Sequence, residues 1–120
     1  MVIAPQIEQR LRTESNIWLA TVRSNHAPHL VPIWFVWVAD KMYICTSADS
    51  VKVRNLLSNP SVSAALEDGS TPVVIEGRAR PIGIVPKPVI EAFKKKYDWN
   101  ITTDSEYNQV IEIDPKRIRS

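Results

Sequence analysis

The chain has 120 residues, of which 44% are hydrophobic and 23% are charged, and its formal net charge is +2. This length predicts a single domain, residues 1–120, built around one core. The charge is too small, and the basic residues too scattered, for a nucleic-acid-binding protein. A lone cysteine and the lack of an apolar run long enough to span a membrane favour a cytoplasmic protein without disulfides.

The first third of the chain predicts one helix and two strands. Pro5 to Arg12 fits a short helix, because proline suits the first helical turn. Asn16 to Arg23 is rich in residues that favour strands. The run from His29 to Val38 is apolar on both faces, so both faces need cover, and a partner subunit is the expected source. Pro32 within this run indicates an edge strand, a bulge or a place where pairing stops.

The middle of the chain predicts a strand followed closely by a helix. Met42 to Thr46 forms the strand, and residues 50–58 form the helix. The spacing of Val53, Leu56 and Leu57 predicts that these three side chains face the core. A polar turn rich in hydroxyl groups separates the two elements.

Two further strands are predicted from Val62 to Leu66 and from Thr71 to Ile84. Asp68-Gly69 between them is a hairpin signal. Gly77 inside the second of these strands permits a bulge or a close approach of another backbone segment.

The last part of the chain predicts a helix from Pro86 to Tyr97, an irregular loop over residues 98–108, and a final strand from Val110 to Ile113 that Pro115 ends. The sequence therefore predicts six strands in total. The predicted class is therefore mainly β: a small antiparallel barrel of six strands with short helices in the connections.

The clearest sign of a ligand lies in the polar turn and the helix start after the third strand. Thr46, Ser47 and Ser50 supply hydroxyl groups there. Lys52 and Arg54 place positive charge at a helix N-terminus, where the helix dipole disfavours it. Together these groups predict a site for an anion such as phosphate. The alternative is that Ser50 is a simple N-cap and Lys52 an ordinary surface lysine.

Catalytic and metal-binding motifs are missing from the sequence. The chain has three glycines and no glycine-rich nucleotide loop. His26 and His29 have only Cys45 as a further soft ligand, so we expect no metal site. Cys45 lies between apolar Ile44 and Thr46 in a strand, where a buried and unreactive thiol is usual.

Aromatic residues beside the expected break in pairing have two interpretations. Broken pairing would leave the backbone of Ile33 and Trp34 free to bind a planar ligand, while the Trp34 side chain packs away from it. Trp99 and Tyr107 lie in the loop over residues 98–108. Trp99 either anchors this loop to the barrel or covers the ring of a ligand.

Seven short segments in a fixed order span nearly the whole chain: residues 19–22 (LATV), 28–35 (PHLVPIWF), 43–47 (YICTS), 52–56 (KVRNL), 59–62 (NPSV), 74–79 (VIEGRA) and 110–115 (VIEIDP). In this order they resemble the split-barrel flavin-binding proteins related to pyridoxamine 5'-phosphate oxidase. The resemblance implies a homodimer of six-stranded split barrels with two flavin mononucleotide (FMN) sites at the dimer interface.

The resemblance also assigns cofactor-binding roles by position. Lys52 and Ser50 would hold the phosphate of FMN, with Asn55 supporting that region. Thr46 and Ser47 would line the ribityl chain. The isoalloxazine edge would lie along the backbone of four consecutive residues: Val31, Pro32, Ile33 and Trp34. No catalytic side chain is expected, because the flavin itself carries the redox chemistry.

The chain departs from the true oxidases in two respects. It is much shorter, and it lacks their C-terminal segment with arginine and histidine, so oxidation of vitamin B6 is not expected. It is more similar to the short subgroup, whose members bind FMN or the deazaflavin coenzyme. FMN is favoured because it is smaller and more widespread. The alternatives are a deazaflavin-dependent reductase, or a flavin or haem carrier without catalytic activity.

Overall fold

The computed structural model describes residues 2–120. Over this range the chain forms three α-helices, seven β-strands and a short 3-10 helix. The helices are α1 (Pro5–Thr13), α2 (Val51–Ser58) and α3 (Lys87–Tyr97), with the 3-10 helix at Ile101–Thr103. The strands are β1 (Asn16–Val22), β2 (Pro28–Trp34), β3 (Val36–Val38), β4 (Lys41–Thr46), β5 (Ser61–Leu66), β6 (Val74–Ile82) and β7 (Gln109–Arg119).

All seven strands belong to one antiparallel sheet in the order β2-β1-β5-β6-β7-β4-β3. Its two edge strands, β2 and β3, are neighbours in sequence, with only Phe35 between them. A sheet whose opposite edges are joined by one residue must curl until those edges approach each other. The architecture is therefore barrel-like, as predicted, and it remains open between its edge strands β2 and β3.

The predicted count of six strands was wrong, because the run from His29 to Val38 is two strands. Pro28, Leu30, Pro32 and Trp34 form an exposed face of β2. The other face of β2 is half-buried, whereas β3 is largely buried. The expectation that Pro32 marks an edge is confirmed, since β2 pairs only with β1.

Helix α3 supplies the hydrogen-bond partners that Phe35 lacks from a neighbouring strand. The Phe35 amide donates to the Tyr97 hydroxyl over 3.0 Å. The Lys96 amine donates to the Phe35 carbonyl over 2.9 Å and lies 3.9 Å from the centre of the Phe35 ring. These contacts hold the chain where it passes from one edge of the sheet to the other.

Strand β7 continues past Pro115, which the sequence predicted to be its end. It does so because β6 has a register shift between Glu76 and Gly77, which places Gly77 opposite Pro115. A Cβ atom at Gly77 would overlap the Asp114 carbonyl oxygen and lie 3.1 Å from the Pro115 Cα. Both expectations for Gly77, a bulge and a close backbone approach, are confirmed.

Helix α2 packs on the barrel with a slightly different face from the one predicted. Val53 and Leu56 are buried, as expected, but Leu57 is 73% exposed. Asn55 is buried instead, and its side-chain amide donates to the Thr21 hydroxyl over 2.9 Å. This hydrogen bond satisfies both polar groups and fixes α2 against β1.

The apolar core has two parts. The first fills the barrel with side chains from every strand and from α1 and α2, and it includes Leu11, Leu19, Phe35 and Ile111. The second lies beneath α3 around Val89 and Phe93. None of the helices within residues 2–120 has the length and apolar character that crossing a lipid bilayer requires.

Candidate functional site

A cavity of about 840 Å³ opens between the free edge of β2, the end of β4, the start of α2 and the loop that follows α3. Fourteen residues line it: Asn16, Pro32, Ile33, Trp34, Cys45, Thr46, Ser47, Ser50, Lys52, Tyr97, Asp98, Trp99, Asp104 and Tyr107. Hydroxyl groups and a cation come from the end of β4 and the start of α2, which we call the polar end, and aromatic rings come from β2, α3 and the loop after α3, which we call the aromatic end. The cavity therefore suits an elongated ligand with an anionic group and a planar ring.

Seven of the nine residues predicted to bind a cofactor line this cavity: Pro32, Ile33, Trp34, Thr46, Ser47, Ser50 and Lys52. Val31 is half-buried opposite Leu19 of β1 and is not part of the lining. Asn55 is buried outside the lining, where its side-chain amide donates a hydrogen bond to Thr21. Its position fits the supporting role predicted for it. The cofactor-binding roles of all nine residues stay predictions.

The hydroxyl oxygens of the two serines at the polar end each accept one hydrogen bond from a backbone amide. Ser50 caps α2, because its hydroxyl oxygen accepts a hydrogen bond from the Val53 amide over 3.3 Å. The Ser47 hydroxyl oxygen accepts from the Asp49 amide at the same distance. In both cases the hydroxyl proton is still available to a ligand. The capping role of Ser50 is therefore compatible with anion binding.

Lys52 is the cation of the polar end and is half-buried there. It makes no hydrogen bond or ion pair with any other residue between 2 and 120, and the first turn of α2 contains no acidic residue. Burial lowers the pKa of the Lys52 amine. A partly desolvated charge without a counterion is unfavourable. An anion bound at this end would therefore stabilise it.

The aromatic end is built from four rings. Trp34 stacks on Tyr97 with ring centres 4.4 Å apart and an angle of 7° between the planes. Trp99 meets Trp34 edge-on at 6.1 Å and Tyr107 at 6.0 Å. Trp34 is a lining residue of the cavity and is 47% exposed, although its ring packs on Tyr97. That its side chain points away from a bound ligand stays a prediction.

Trp99 is held in place by both its polar and its apolar atoms. Its indole N–H donates to a carboxylate oxygen of Asp104 over 3.0 Å, and its ring packs edge-on against Phe93 at 5.5 Å. The other oxygen of Asp104 accepts the Glu106 and Tyr107 amides. These contacts favour the interpretation that Trp99 anchors its loop, although its ring also forms part of the cavity wall.

Tyr97 is a cavity residue that the sequence analysis did not select. Its hydroxyl group accepts from the Phe35 amide and lies 2.7 Å from the carbonyl oxygens of both Phe35 and Ser15, to one of which it donates. Burial raises the pKa of Tyr97 to about 12, against the opposing effect of the Phe35 backbone. The four-residue spacing of Val89, Phe93 and Tyr97 would have placed this ring on the inner face of α3.

Replacing Tyr97 by phenylalanine should lower the free energy of unfolding by about 1–3 kcal/mol, because the buried Phe35 amide loses its acceptor. Urea denaturation of both proteins measures the difference. Tyr107→Phe is the matched control, since the Tyr107 side chain is 48% exposed and has no hydrogen bond through its hydroxyl group to residues 2–120. Equal losses in the two variants would show that the Tyr97 hydroxyl does not hold Phe35.

Cys45, the thiol of the cavity lining, is not a reactive nucleophile. Burial, reinforced by the charge of Asp104, raises the pKa of the Cys45 thiol to about 11, so the thiol stays protonated near neutral pH. Its S–H group lies 3.3 Å from the Tyr107 carbonyl oxygen, to which it donates. Within residues 2–120 no group of three or more histidine, cysteine or acidic side chains is placed to hold a metal ion.

A family model for pyridoxamine 5'-phosphate oxidase matches residues 3–120. The chain belongs to this family. None of the curated proteins compared with the chain matches it. The family assignment agrees with the resemblance seen in the sequence.

Solved structures of the same fold carry several descriptions. A conserved hypothetical protein from Mycobacterium tuberculosis has a TM-score of 0.80 at 25% identity, with 99% of this chain and 84% of that one aligned. An F420 reductase has a TM-score of 0.76 at 22% identity over 98% of both chains. A heme storage protein from Vibrio cholerae has a TM-score of 0.77 at 19% identity, with 98% of this chain and 92% of that one aligned. These similarities establish a shared fold.

Proposed function

We propose that this protein binds FMN in the 840 Å³ cavity and is an oxidoreductase that uses the bound flavin. The observation that carries the proposal is Lys52, a half-buried cation without a counterion at the polar end of the cavity. An anionic ligand would compensate its desolvation, and the aromatic residues of the lining favour a planar ring. FMN combines a phosphate and a flat ring in one elongated molecule.

The residues present fit this cofactor. Lys52 and the hydroxyl groups of Ser50, Ser47 and Thr46 would hold the phosphate and the ribityl chain. The outer edge of β2 has no strand paired to it, so backbone groups of Ile33 and Trp34 are available to the edge of the ring. When bound, the flavin supplies hydride or electron transfer. The protein binds it, orients it and limits the access of water.

The absorption spectrum of the purified protein tests the proposal. We expect flavin bands, and we expect denaturation to release a molecule with the mass of FMN. Release of the deazaflavin coenzyme would instead support a reductase of the kind that one structural relative is named for. A Soret band would indicate a haem carrier and overturn the proposal. Turnover of the flavin-loaded protein with a nicotinamide donor separates an enzyme from a carrier.

A homodimer is also part of the proposal. Trp18 and Leu30 are 42% and 59% exposed on the same face of the neighbouring strands β1 and β2. Burying such an apolar face in a second copy of the chain is favourable. Light scattering should therefore give about twice the monomer mass of 13.6 kDa. Leu30→Asp should shift the protein toward the monomer. Leu57→Asp should not, because Leu57 lies on the exposed face of α2. A monomer that retains FMN would contradict the dimer.

A further inference from the structure

We propose that His29 joins Lys52 in binding the phosphate group at the polar end of the cavity, and that its imidazole takes up a proton from solvent when the phosphate enters. The inference rests on the proposed function, because it takes the ligand to be FMN. It adds to the polar end a residue of β2 that lies beyond the cavity lining, and it makes FMN binding dependent on pH.

The side chain of His29 lies on the half-buried face of β2. Exposure alternates along this strand, so His29 shares its face with Val31 and Ile33, whereas Leu30 belongs to the exposed face that the proposed dimer would bury. Ile33 lines the cavity, and His29 lies four residues from it, a span of about 13 Å at the usual rise of a strand. An elongated ligand whose ring lies beside Ile33 can therefore extend its phosphate toward His29.

The imidazole of His29 has a polar atom without a partner. Its Nδ1 atom is buried and makes no hydrogen bond within residues 2–120. Thr21 lies opposite His29 on β1, but the Thr21 hydroxyl oxygen accepts the hydrogen bond from Asn55. A buried nitrogen without a partner is unfavourable. Because no hydrogen bond to Nδ1 fixes the ring, it can turn to present a nitrogen to an acceptor oxygen that arrives with a ligand.

The charges that act on His29 are positive. Arg23 lies beside it, because its guanidinium donates to the carbonyl oxygen of the adjacent Pro28 over 2.8 Å. Burial lowers the pKa of His29, and the positive charges of Arg23 and of Lys52 on α2 lower it further. No acidic side chain of residues 2–120 counteracts these two cations. In the absence of an anion the imidazole is therefore neutral near pH 7.

A bound phosphate reverses this electrostatic balance. A phosphate monoester carries a charge of about −1.5 to −2 at pH 7, which offsets the two cations and raises the pKa of a nearby imidazole. The protonated imidazole has an N–H donor on each ring nitrogen, and its hydrogen bond to phosphate is charge-assisted. The complex then binds one proton more than the separate molecules. FMN affinity should therefore rise as the pH falls between the His29 pKa values of the complex and of the free protein.

The NMR signals of the imidazole Cε1–Hε1 groups test the proposal directly, because the chain has two histidines. His26 is exposed and serves as the control in the same sample. His26→Asn identifies its signal, since asparagine tolerates the positive φ angle of 72° at this position. We expect His29 to titrate below the usual value of about 6.5 in the free protein and with riboflavin, and at least one pH unit higher with FMN. His26 should not change. Equal midpoints of His29 in the riboflavin and FMN complexes would overturn the proposal.

The pH dependence of FMN affinity gives a second test, with His29→Gln as the variant. The affinity of the wild type should increase several-fold from pH 8 to pH 6.5, whereas that of the variant should not increase. The titrations of Lys52 and of the phosphate itself are common to both proteins, so the comparison isolates His29. Parallel pH profiles in the two proteins would contradict a proton taken up by His29.

Failure of the proposed function can be told apart from failure of this inference. If flavin fluorescence shows that the wild type binds no FMN, the proposed function fails. His29 is then titrated by NMR in the presence of inorganic phosphate. A higher midpoint that disappears in Lys52→Ala would still support an anion site shared by His29 and Lys52, whereas an unchanged midpoint in the wild type would overturn the inference as well.

Discussion

Replacing Lys52 by alanine should weaken FMN binding by about 10- to 150-fold, which corresponds to about 1.5–3 kcal/mol for a hydrogen bond to a charged group. The loss is large because Lys52 is half-buried and, among residues 2–120, is the only cation that lines the cavity. Titration of FMN fluorescence with the cofactor-free protein gives the dissociation constants.

Two controls separate the phosphate contact from a general effect. Arg54→Ala removes a cation from an exposed position two residues further along α2, outside the cavity lining, and should leave FMN affinity nearly unchanged. Riboflavin lacks the phosphate, so its affinity should be similar in the wild type and in Lys52→Ala. If Lys52→Ala weakens riboflavin and FMN equally, Lys52 does not bind the phosphate.

Whereas Lys52→Ala should weaken FMN binding, it should leave the stability of the cofactor-free protein unchanged or slightly raise it. Because burial lowers the pKa of Lys52 in the folded state, the charged amine costs stability there. This cost is fully present below the folded-state pKa, and therefore at pH 7, and it disappears as the pH rises past the unfolded-state pKa. Lys52→Ala should consequently unfold at an equal or slightly higher urea concentration at pH 7.

Replacing Gly77 by alanine should destabilise the protein by about 3 kcal/mol, at the upper end of the usual cost of overpacking. The added Cβ atom would overlap the Asp114 carbonyl oxygen, which belongs to the backbone of β7 and cannot rotate away as a side chain does. The two strands would have to separate where β6 shifts its register. Urea denaturation measures the change in the free energy of unfolding.

Gly83→Ala is the matched control, because a Cβ atom there would have no neighbour within 4 Å among the described residues, and no glycine of the chain has a positive φ angle. Its effect should be small or slightly stabilising, through the lower entropy of the unfolded chain. Similar destabilisation in both variants would mean that the loss comes from the glycine backbone and not from the contact with Asp114.

The polar end of the cavity could be predicted because it is local in sequence. Thr46, Ser47, Ser50 and Lys52 lie within seven consecutive residues, where a strand leads into a helix, so their proximity needs no knowledge of the rest of the chain. The conflict between a cation and the helix dipole was also visible in this segment. The free edge at Pro32 follows from proline chemistry alone, since proline cannot donate to a neighbouring strand.

The other end of the cavity could not be predicted in this way, because its parts meet only in the folded chain. Tyr97 and Phe35 are 62 residues apart, yet the Tyr97 hydroxyl group fixes the single residue between β2 and β3. That contact is what divides the predicted strand in two and gives seven strands instead of six. Once Tyr97 is held there, Trp34 stacks on it and lines the cavity.

The sequence by itself determined the mainly β class, the polar segment between the end of β4 and the start of α2, and the family resemblance. Each of these depends on the chemistry or spacing of residues close together in the chain, or on the order of short segments along it. Only the tertiary structure decided the break at Phe35, the continuation of β7 past Pro115 and the exposure of Trp34. Each of these depends on a group distant in sequence: the Tyr97 hydroxyl group, the backbone of the paired strand, or the Tyr97 ring. No local sequence pattern specifies such a neighbour.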